Sequence, residues 1–332
     1  MQIKLADFSH KQELFELWQE AFGNEDSDDF IWSFLNGYLI PEYNAPVVFA
    51  DGKIVSALYL IEFELYSNMQ IIGNCAYLFA AATRRQYRGR GYMSALIEYA
   101  AGLYKKRGIS AIFVFPQEDS GNLFDFYEKF GFKSIYQIKV KKMPAQKNMR
   151  TDIDLTGLRL VNHAVNDEKI FDGLYKSYAE FTAKQNLSPM KDRLFYFKCA
   201  SSYLDSPGRY FAVFERISDN NRDNSDNNNV EKFCYVFYKK FENNYYIDDI
   251  IMSEYNNMRE SAQRKFEDVS QLLAEFILNN SDGARLEMNA PPENFTDKDN
   301  IKTAMILSLS EKAGSIIKNL KSPVYLNMFM NI

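Results

Sequence analysis

The sequence predicts a mixed α/β fold in two domains, each built on a mixed β-sheet flanked by helices. Strand and helix patterns alternate through the first half of the chain, as they do in α/β proteins. The segment "APVVFADGKIVSALYLIEFELY" predicts a β-hairpin, because two apolar runs flank the turn pair Asp51-Gly52. The 332 residues, of which 46% are hydrophobic, are enough for two separate cores.

The other elements of the first half follow from local patterns. Leu14, Leu17 and Trp18 recur at helical spacing before Gly23, and a later apolar helix ends at Gly108. In chain order, we expect a strand at 3–8, helices at 10–23 and in "DDFIWSFLNGYL", the hairpin, a strand in "IIGNCAYLFAAAT", a helix at 92–107, a strand at 109–116, a short helix at 120–132 closed by Gly131, and a strand in "SIYQIKVKKM".

The polar, proline-bearing segment 143–152 predicts a boundary between a domain at 1–145 and a domain at 146–332. The second half loosely follows the order of the first, without a residue-level repeat. The Asn-, Asp- and Ser-rich segment 218–229 predicts a mobile loop, because it cannot bury enough apolar surface. The expected elements are helices in "KIFDGLYKSYAEFTAK" and "DRLFYFKCASSYL", strands in "RYFAVFERI", "KFCYVFYKKF" and "YYIDDIIMSE", a helix in "VSQLLAEFIL" and a strand in "ARLEMN".

Composition argues against several classes of protein. The net charge of −5 and the lack of a broad basic stripe disfavour a nucleic-acid partner. The longest apolar stretch, at 54–61, is too short to cross a bilayer, and the N-terminus has no signal pattern, so we expect a cytoplasmic protein without a membrane partner. Three widely spaced cysteines and two histidines predict neither a disulfide framework nor a metal site, and they disfavour serine–histidine chemistry.

The segment "ATRRQYRGRGYMSALI" at 82–97 predicts an anion-binding site at a strand-to-helix junction. A helix start presents unpaired N–H groups and the positive end of a dipole, and Gly89 and Gly91 let an anion approach the backbone. Four arginines add charge there: Arg84, Arg85, Arg88 and Arg90. The alternative is an exposed arginine-rich turn in which Gly91 only opens a helix. A P-loop is absent, and Ser94 replaces the third glycine of a dinucleotide-binding GxGxxG motif.

Two motifs resemble those of the GCN5-related N-acetyltransferase (GNAT) superfamily. "QYRGRG" at 86–91 fits its acyl-coenzyme A signature Q/R-x-x-G-x-G/A, and "NLFDFYEKFGF" at 122–132 is similar to its second hallmark. One helix and one strand separate them, as in the family, and the resemblance covers residues 1–143. The second domain further resembles that of tandem-GNAT acetyltransferases of the Eis type. We expect no room before Ile332 for their C-terminal sterol-carrier-like domain.

The resemblance implies an acyl-CoA-dependent N-acyltransferase that uses acetyl-CoA. The end of a strand would bind the pantetheine arm, and main-chain N–H groups with two arginines would bind the diphosphate. The residues implied for this site are Ala81, Ala82, Thr83, Arg88, Gly89, Arg90, Gly91, Tyr92, Met93 and Ser94, with Asn122 either contacting the cofactor or capping the short helix.

The resemblance also implies that Tyr127 protonates the departing thiolate. A phenol has an ordinary pKa near 10 and can donate a proton near neutral pH. The alternative is a core residue, because Leu123, Tyr127 and Phe130 share one helical face.

The general base for the attacking amine stays open. Eis-type enzymes use the terminal carboxylate of their last domain, and this role has no counterpart to carry over here. The candidate carboxylates are Glu62, Glu64, Glu118, Asp119, Asp248 and Asp249, each of which can equally be a solvated surface group.

We expect the acceptor to be a small-molecule amine or a lysine-like group. The second domain has no glycine in "YNNMRESAQRKFED" after its third strand, so we expect it to wall off the acceptor site, form a homo-oligomer, or both. One alternative is a non-catalytic acyl-CoA-binding or sensing protein. Another is an aminoacyl or peptidoglycan-type transferase that uses charged tRNA, which the coenzyme A signature and the pI near 5.4 disfavour.

Overall fold

The computed structural model divides into two compact units that are discontinuous in sequence. It describes residues 1–23, 27–116, 123–143, 158–162, 164–185, 187–217, 230–242, 244–252, 285–290 and 301–319. The first unit comprises Met1–Ile135 and Thr303–Lys321, and the second comprises Tyr136–Lys302 and Ser322–Ile332. The units therefore differ from the linear division at 145/146, because a segment near the C-terminus belongs to the first.

Strands and helices alternate along the described parts of both units. The strands are β1 (Gln2–Leu5), β2 (Pro46–Ala50), β3 (Lys53–Ser67), β4 (Gln70–Thr83), β5 (Ala111–Val114), β6 (Lys133–Met143), β7 (Leu158–Asn162), β8 (Ser188–Met190), β9 (Arg209–Ile217), β10 (Val230–Phe241), β11 (Asn244–Met252), β12 (Arg285–Ala290) and β13 (Ile301–Ser308). The helices are α1 (Lys11–Phe22), α2 (Ser27–Leu35), α3 (Pro41–Asn44), α4 (Tyr92–Lys106), α5 (Leu123–Glu128), α6 (Glu168–Ala183), α7 (Arg193–Asp205) and α8 (Glu311–Lys318).

The first unit is built on a mixed sheet. Strands β1, β2, β3 and β4 pair antiparallel in that order, and β4 then pairs parallel with β5. Strand β13 pairs antiparallel with the other edge of β5, with Met305 opposite Val114. The "IKTAMILS" segment was not predicted as an element, and its pairing with β5 is what brings a C-terminal segment into this unit.

Two layers of side chains cover the sheet of the first unit. On one face, Trp18 of α1 and Phe30 of α2 form an aromatic cluster with Tyr59 of β3. The other face packs against α4 and α5 in a core that includes Leu60, Leu96 and further residues of β2–β5. Strand residues alternate between these layers, since successive side chains of a strand point to opposite faces.

The second unit repeats the strand order of the first. Strands β7, β9, β10 and β11 pair antiparallel in that order, β11 pairs parallel with β12, and β12 pairs antiparallel with β6. Along the chain, helices α6 and α7 lie between β7 and β9, just as α1 and α2 lie between β1 and β2 in the first unit. The predicted mixed α/β fold with a mixed sheet flanked by helices is therefore confirmed.

Most predicted elements match described ones within a few residues. The helix predicted at 92–107 is α4, and the strand predicted in "RYFAVFERI" coincides with β9. The loop at 218–229, the helix in "VSQLLAEFIL" and the start of the short helix before Leu123 lie outside the described residues. Within the described part of the chain, no helix is both long and apolar enough to span a bilayer.

Candidate active site

Strand β4 extends beyond the end of its parallel neighbour β5. The pairing between them covers Cys75–Tyr77, whereas β4 continues to Thr83 and β5 ends at Val114. The pairing of β4 with β3 shifts by one residue at Phe79, which is a β-bulge. Ala80–Ala82, which have small side chains, follow the bulge. No described strand pairs with this edge of β4 there, so its main chain is open to a ligand.

A tight turn joins the end of β4 to α4. Gly89 and Gly91 have φ of +74° and +78°, a conformation that other residues adopt only with strain. A Cβ atom at either position would meet nothing within 4 Å, so these glycines border open space. Their conformation, and not internal packing, is what requires glycine.

The first turn of α4 offers free main-chain donors. The first helical hydrogen bond runs from the Ala95 N–H to the Gly91 carbonyl, and no side chain caps the helix start. The N–H groups of Tyr92, Met93 and Ser94 therefore lack partners within the helix and carry the positive end of its dipole. This donor set fits a diphosphate.

The turn is held in place by a carboxylate that the sequence analysis did not identify. Glu20 of α1 accepts from the Arg84 guanidinium at 2.9 Å and from the Arg85 N–H at 2.8 Å. Burial acts to raise the pKa of Glu20, but these two donors prevail and lower it overall. Arg84 also donates to the Ile54 carbonyl, so the hydrogen bonds of this arginine hold the turn in place.

Arg88 and Arg90 lie on the exposed side of the turn. Arg88 donates to the Thr83 carbonyl at 3.1 Å, and Arg90 donates to the Gln86 carbonyl at 3.2 Å. The Arg90 guanidinium also lies 5.1 Å from the centre of the Tyr87 ring. Neither forms an ion pair with a carboxylate of the described residues, so both charges are available to an anion.

Tyr127 on α5 lies in the core of the first unit. Only 5% of the residue is exposed, and its ring contacts Phe126 and Phe132. It belongs to the same core cluster as Leu78, which follows the last β4–β5 pair. Burial raises the pKa of its hydroxyl to about 12, which keeps it protonated at neutral pH. The contacts of Tyr127 are those of a core residue, and its role as a proton donor stays a prediction.

The candidate bases fall in different environments. Glu62 on β3 is half-buried, and burial raises its pKa. One of its oxygens lies 3.3 Å from the Tyr43 hydroxyl, and Arg107 lies near it at the end of α4. Glu64 is exposed and accepts from the Tyr66 hydroxyl. Asp248 and Asp249 are buried in the second unit.

The structure brings together one part of the predicted site and does not describe another. Ten of the predicted residues follow one another around the end of β4 and the start of α4: Ala81, Ala82, Thr83, Arg88, Gly89, Arg90, Gly91, Tyr92, Met93 and Ser94. Asn122, Glu118 and Asp119 lie outside the described residues. Sequence reasoning missed the clamp by Glu20 and the hydrogen bond from the Tyr87 hydroxyl to Asp51, because these contacts link distant positions.

The open edge of β4, the glycine turn and the uncapped start of α4 follow one another along the chain. Residues 2–135 match the acetyltransferase (GNAT) domain family. The first unit therefore contains a GNAT acetyltransferase domain, which is less than half of the chain. A search of curated proteins found no match.

Solved structures of similar fold cover nearly the whole chain. One is a conserved protein from Enterococcus faecalis V583 described as a probable N-acyltransferase, with a TM-score of 0.68 and 13% identity over 94% of this chain and 73% of that one. A GCN5-related N-acetyltransferase from Anabaena variabilis has a TM-score of 0.63 and 15% identity over 93% and 73%. Eis1 from Mycobacterium abscessus has a TM-score of 0.61 and 11% identity over 94% and 75%. At these identities the likeness concerns the fold.

Proposed function

We propose that this protein transfers an acetyl group from acetyl-CoA to a primary amine, by direct attack of the amine in a ternary complex. The observation that carries the proposal is the continuity of the open edge of β4 with the free N–H groups at the start of α4. An extended pantetheine arm fits the first feature as an added strand, and its diphosphate fits the second.

Each part of the turn has a role in this proposal. Gly89 and Gly91 allow the diphosphate to approach the main chain, and Arg88 and Arg90 add charge-assisted hydrogen bonds. Glu20 orients the turn through Arg84 and does not contact the substrate. The pantetheine arm follows β4 from Thr83 towards the bulge at Phe79. The thioester is thereby positioned where the pairing of β4 with β5 ends.

The chemical step forms one bond and breaks another. The amine nitrogen attacks the thioester carbonyl carbon, the C–N bond forms, and the C–S bond breaks with the electron pair leaving on sulfur. Tyr127 donates its hydroxyl hydrogen to that sulfur. The pKa of Tyr127 is about 12 and that of an ordinary thiol is near 8.5, so the Tyr127 hydroxyl acts foremost as a hydrogen-bond donor to the sulfur. Complete proton transfer requires that the sulfur is desolvated in the same site, because desolvation raises the pKa of the thiol. The proton lost by the amine passes to a base or to water.

A thiol-release assay with acetyl-CoA and a panel of primary amines, with calorimetry for coenzyme A, tests this function. We expect coenzyme A binding and amine-dependent thiol release. Binding without turnover on any amine would instead support a non-catalytic acyl-CoA-binding or sensing protein. No uptake of coenzyme A would exclude both functions.

A further inference from the structure

The hairpin turn between β2 and β3 lies beside the glycine turn that precedes α4. Ser56 on β3 pairs with Thr83 at the end of β4, and the Arg84 N–H donates to the Val55 carbonyl at 2.9 Å. The start of β3 is therefore a neighbour of the glycine turn. The coenzyme A signature at 86–91 does not include these residues, because they lie some thirty positions earlier in the chain.

Tyr87 connects the two turns. The residue is buried, and its hydroxyl donates to the Asp51 carboxylate of the hairpin at 2.9 Å. Lys53 Nζ lies 5.4 Å from the centre of the Tyr87 ring, and the Arg90 guanidinium lies 5.1 Å from the centre of the same ring. One fixed ring thus positions a lysine of the hairpin and the arginine between the two glycines of the signature.

The half-buried side chain of Lys53 keeps its charge available. Its ammonium group contacts the face of a ring, which leaves its three N–H donors free for an acceptor. Among the described residues, no carboxylate forms an ion pair with Lys53 or Arg90. An anion near the Tyr87 ring would therefore meet two cations that have no competing partner.

The positive charge around the glycine turn exceeds what a diphosphate requires. Glu20 is already paired with Arg84, and Asp51 adds one negative charge at the hairpin. Four further cations surround the turn: Lys53, Arg85, Arg88 and Arg90. A diphosphate linker carries two negative charges and also receives the main-chain donors of α4. Coenzyme A has one more anionic group, the 3′-phosphate of its ribose, with a charge of about −1.5 to −2 at pH 7.

Two of these cations lie outside the part of the turn that faces the diphosphate, and their surroundings differ. The Arg85 N–H donates to Glu20 of α1 at 2.8 Å, which places Arg85 beside a carboxylate. Lys53 lies with Arg90 at the Tyr87 ring instead. Because Arg90 stands between Gly89 and Gly91, the cation beside it is the better placed for a second phosphate group.

We infer that Lys53 binds the 3′-phosphate of coenzyme A and makes the protein discriminate coenzyme A from 3′-dephospho-coenzyme A. The contact is a charge-assisted hydrogen bond between an ammonium group and a phosphate monoester. The inference rests on coenzyme A binding at the glycine turn, which is part of the proposed function. It adds a specificity-determining residue from outside the signature.

Calorimetry on the full chain with coenzyme A and with 3′-dephospho-coenzyme A, at equal ionic strength, tests the ligand side of the inference. We expect the dissociation constant of the dephospho compound to be at least about tenfold higher. Equal affinities would overturn the inference and leave the proposed function intact. No uptake of either compound would overturn both.

Lys53→Met tests the residue, because methionine keeps an unbranched apolar stem over the Tyr87 ring and removes the charge. The dissociation constant of coenzyme A should rise about tenfold, and that of the dephospho compound should stay within about twofold, so the preference is lost. Lys53→Arg should retain the preference. Equal weakening of both ligands in Lys53→Met would indicate a structural role and overturn the inference. Lys53→Gln serves the same test if Lys53→Met does not fold.

Two control variants separate this contact from general electrostatics. Lys11 is another half-buried lysine of the first unit, with Nζ 4.1 Å from the centre of the Phe34 ring, and Lys11→Met should keep the full preference. Arg85→Gln removes a charge from the glycine turn itself and should weaken both ligands to a similar extent. A preference that is lost in Arg85→Gln and kept in Lys53→Met would place the 3′-phosphate at Arg85 and overturn the inference.

Discussion

Strand β4 of the first unit and strand β11 of the second occupy equivalent positions in their sheets. Each pairs antiparallel on one side and parallel on the other, but the residues at their bulges differ in chemistry. The bulge of β4 is at Phe79, whose ring lies 5.4 Å from that of Trp18. The pairing of β11 with β10 shifts at Asp248, which is held by Tyr203 and Lys239. A bulge changes the direction of one side chain. The residue at this one position therefore gives β4 an apolar surface and β11 a buried charge.

The difference extends to the polar groups around each strand. The first unit presents main-chain donors and arginines on an exposed turn, and its bulge is apolar. The second unit buries Asp248, Asp249 and Lys191. One strand order can therefore present exposed main-chain donors and arginines in one unit and buried charged groups in the other.

The largest effect is expected at Tyr127, in the core of the first unit. Tyr127→Phe should lower turnover on the order of 10²-fold with coenzyme A affinity kept, because only the donor to sulfur is lost. Steady-state kinetics with calorimetry measures both. Tyr104→Phe is the control, since it removes another buried hydroxyl of the same core and should leave turnover unchanged. Equal losses in both variants would contradict the assignment.

Removing the charge at the second bulge should have the next largest effect. Asp248→Asn leaves Lys239 without its ion pair and should lower the free energy of unfolding by about 2 kcal/mol. Chemical denaturation measures this change. Asp172→Asn breaks an exposed pair with Arg193 and should cost less than about 1 kcal/mol. Equal losses of stability in Asp248→Asn and Asp172→Asn would contradict the structural role assigned to the buried ion pair.

A Cβ atom at the helix start should weaken cofactor binding. Gly91→Ala forces a left-handed alanine and narrows the approach to the main-chain donors, so the coenzyme A dissociation constant should rise by about tenfold. Gly37→Ala is matched, because Gly37 has φ of +75° and equally open surroundings. It should lower stability to a similar extent and leave coenzyme A affinity intact, as calorimetry would show. If both variants bind equally weakly, strain and not the site explains the loss.

The smallest effect concerns Lys191 in the second unit. It is fully buried, its Nζ has no hydrogen-bond partner among the described residues, and burial lowers its pKa to about 8. Lys191→Met should raise the free energy of unfolding by about 1 kcal/mol near neutral pH, because an unpaired buried amine is removed. Denaturation curves measure the change.

The sign of the pH dependence follows from the lowered pKa. Between the folded value of about 8 and the ordinary value of 10.5, the unfolded chain holds a proton that the folded protein does not. The stability of the unmodified protein therefore rises with pH across this window, and the gain from Lys191→Met should shrink. Exposed Lys176→Met should show no such trend. A gain that grows towards pH 10.5 would contradict the interpretation.

Local signals predicted most elements and the glycine turn before α4. The start of α4 follows from Gly91 and an apolar face within a few residues, and β9 from one short run of strand residues. The contact between Arg84 and Glu20 was not predicted, because Glu20 lies 64 positions earlier in the chain. The bulges at Phe79 and Asp248 depend on pairing register between strands, which no single segment contains.

The pairing of β13 with β5 has a consequence for how the protein is made. Strand β5 has Met305–Ser308 as one of its neighbours, and these residues leave the ribosome after nearly all of the second unit. During translation β5 keeps an exposed edge that can pair wrongly with another chain. The sheet of the first unit is therefore completed only late in synthesis.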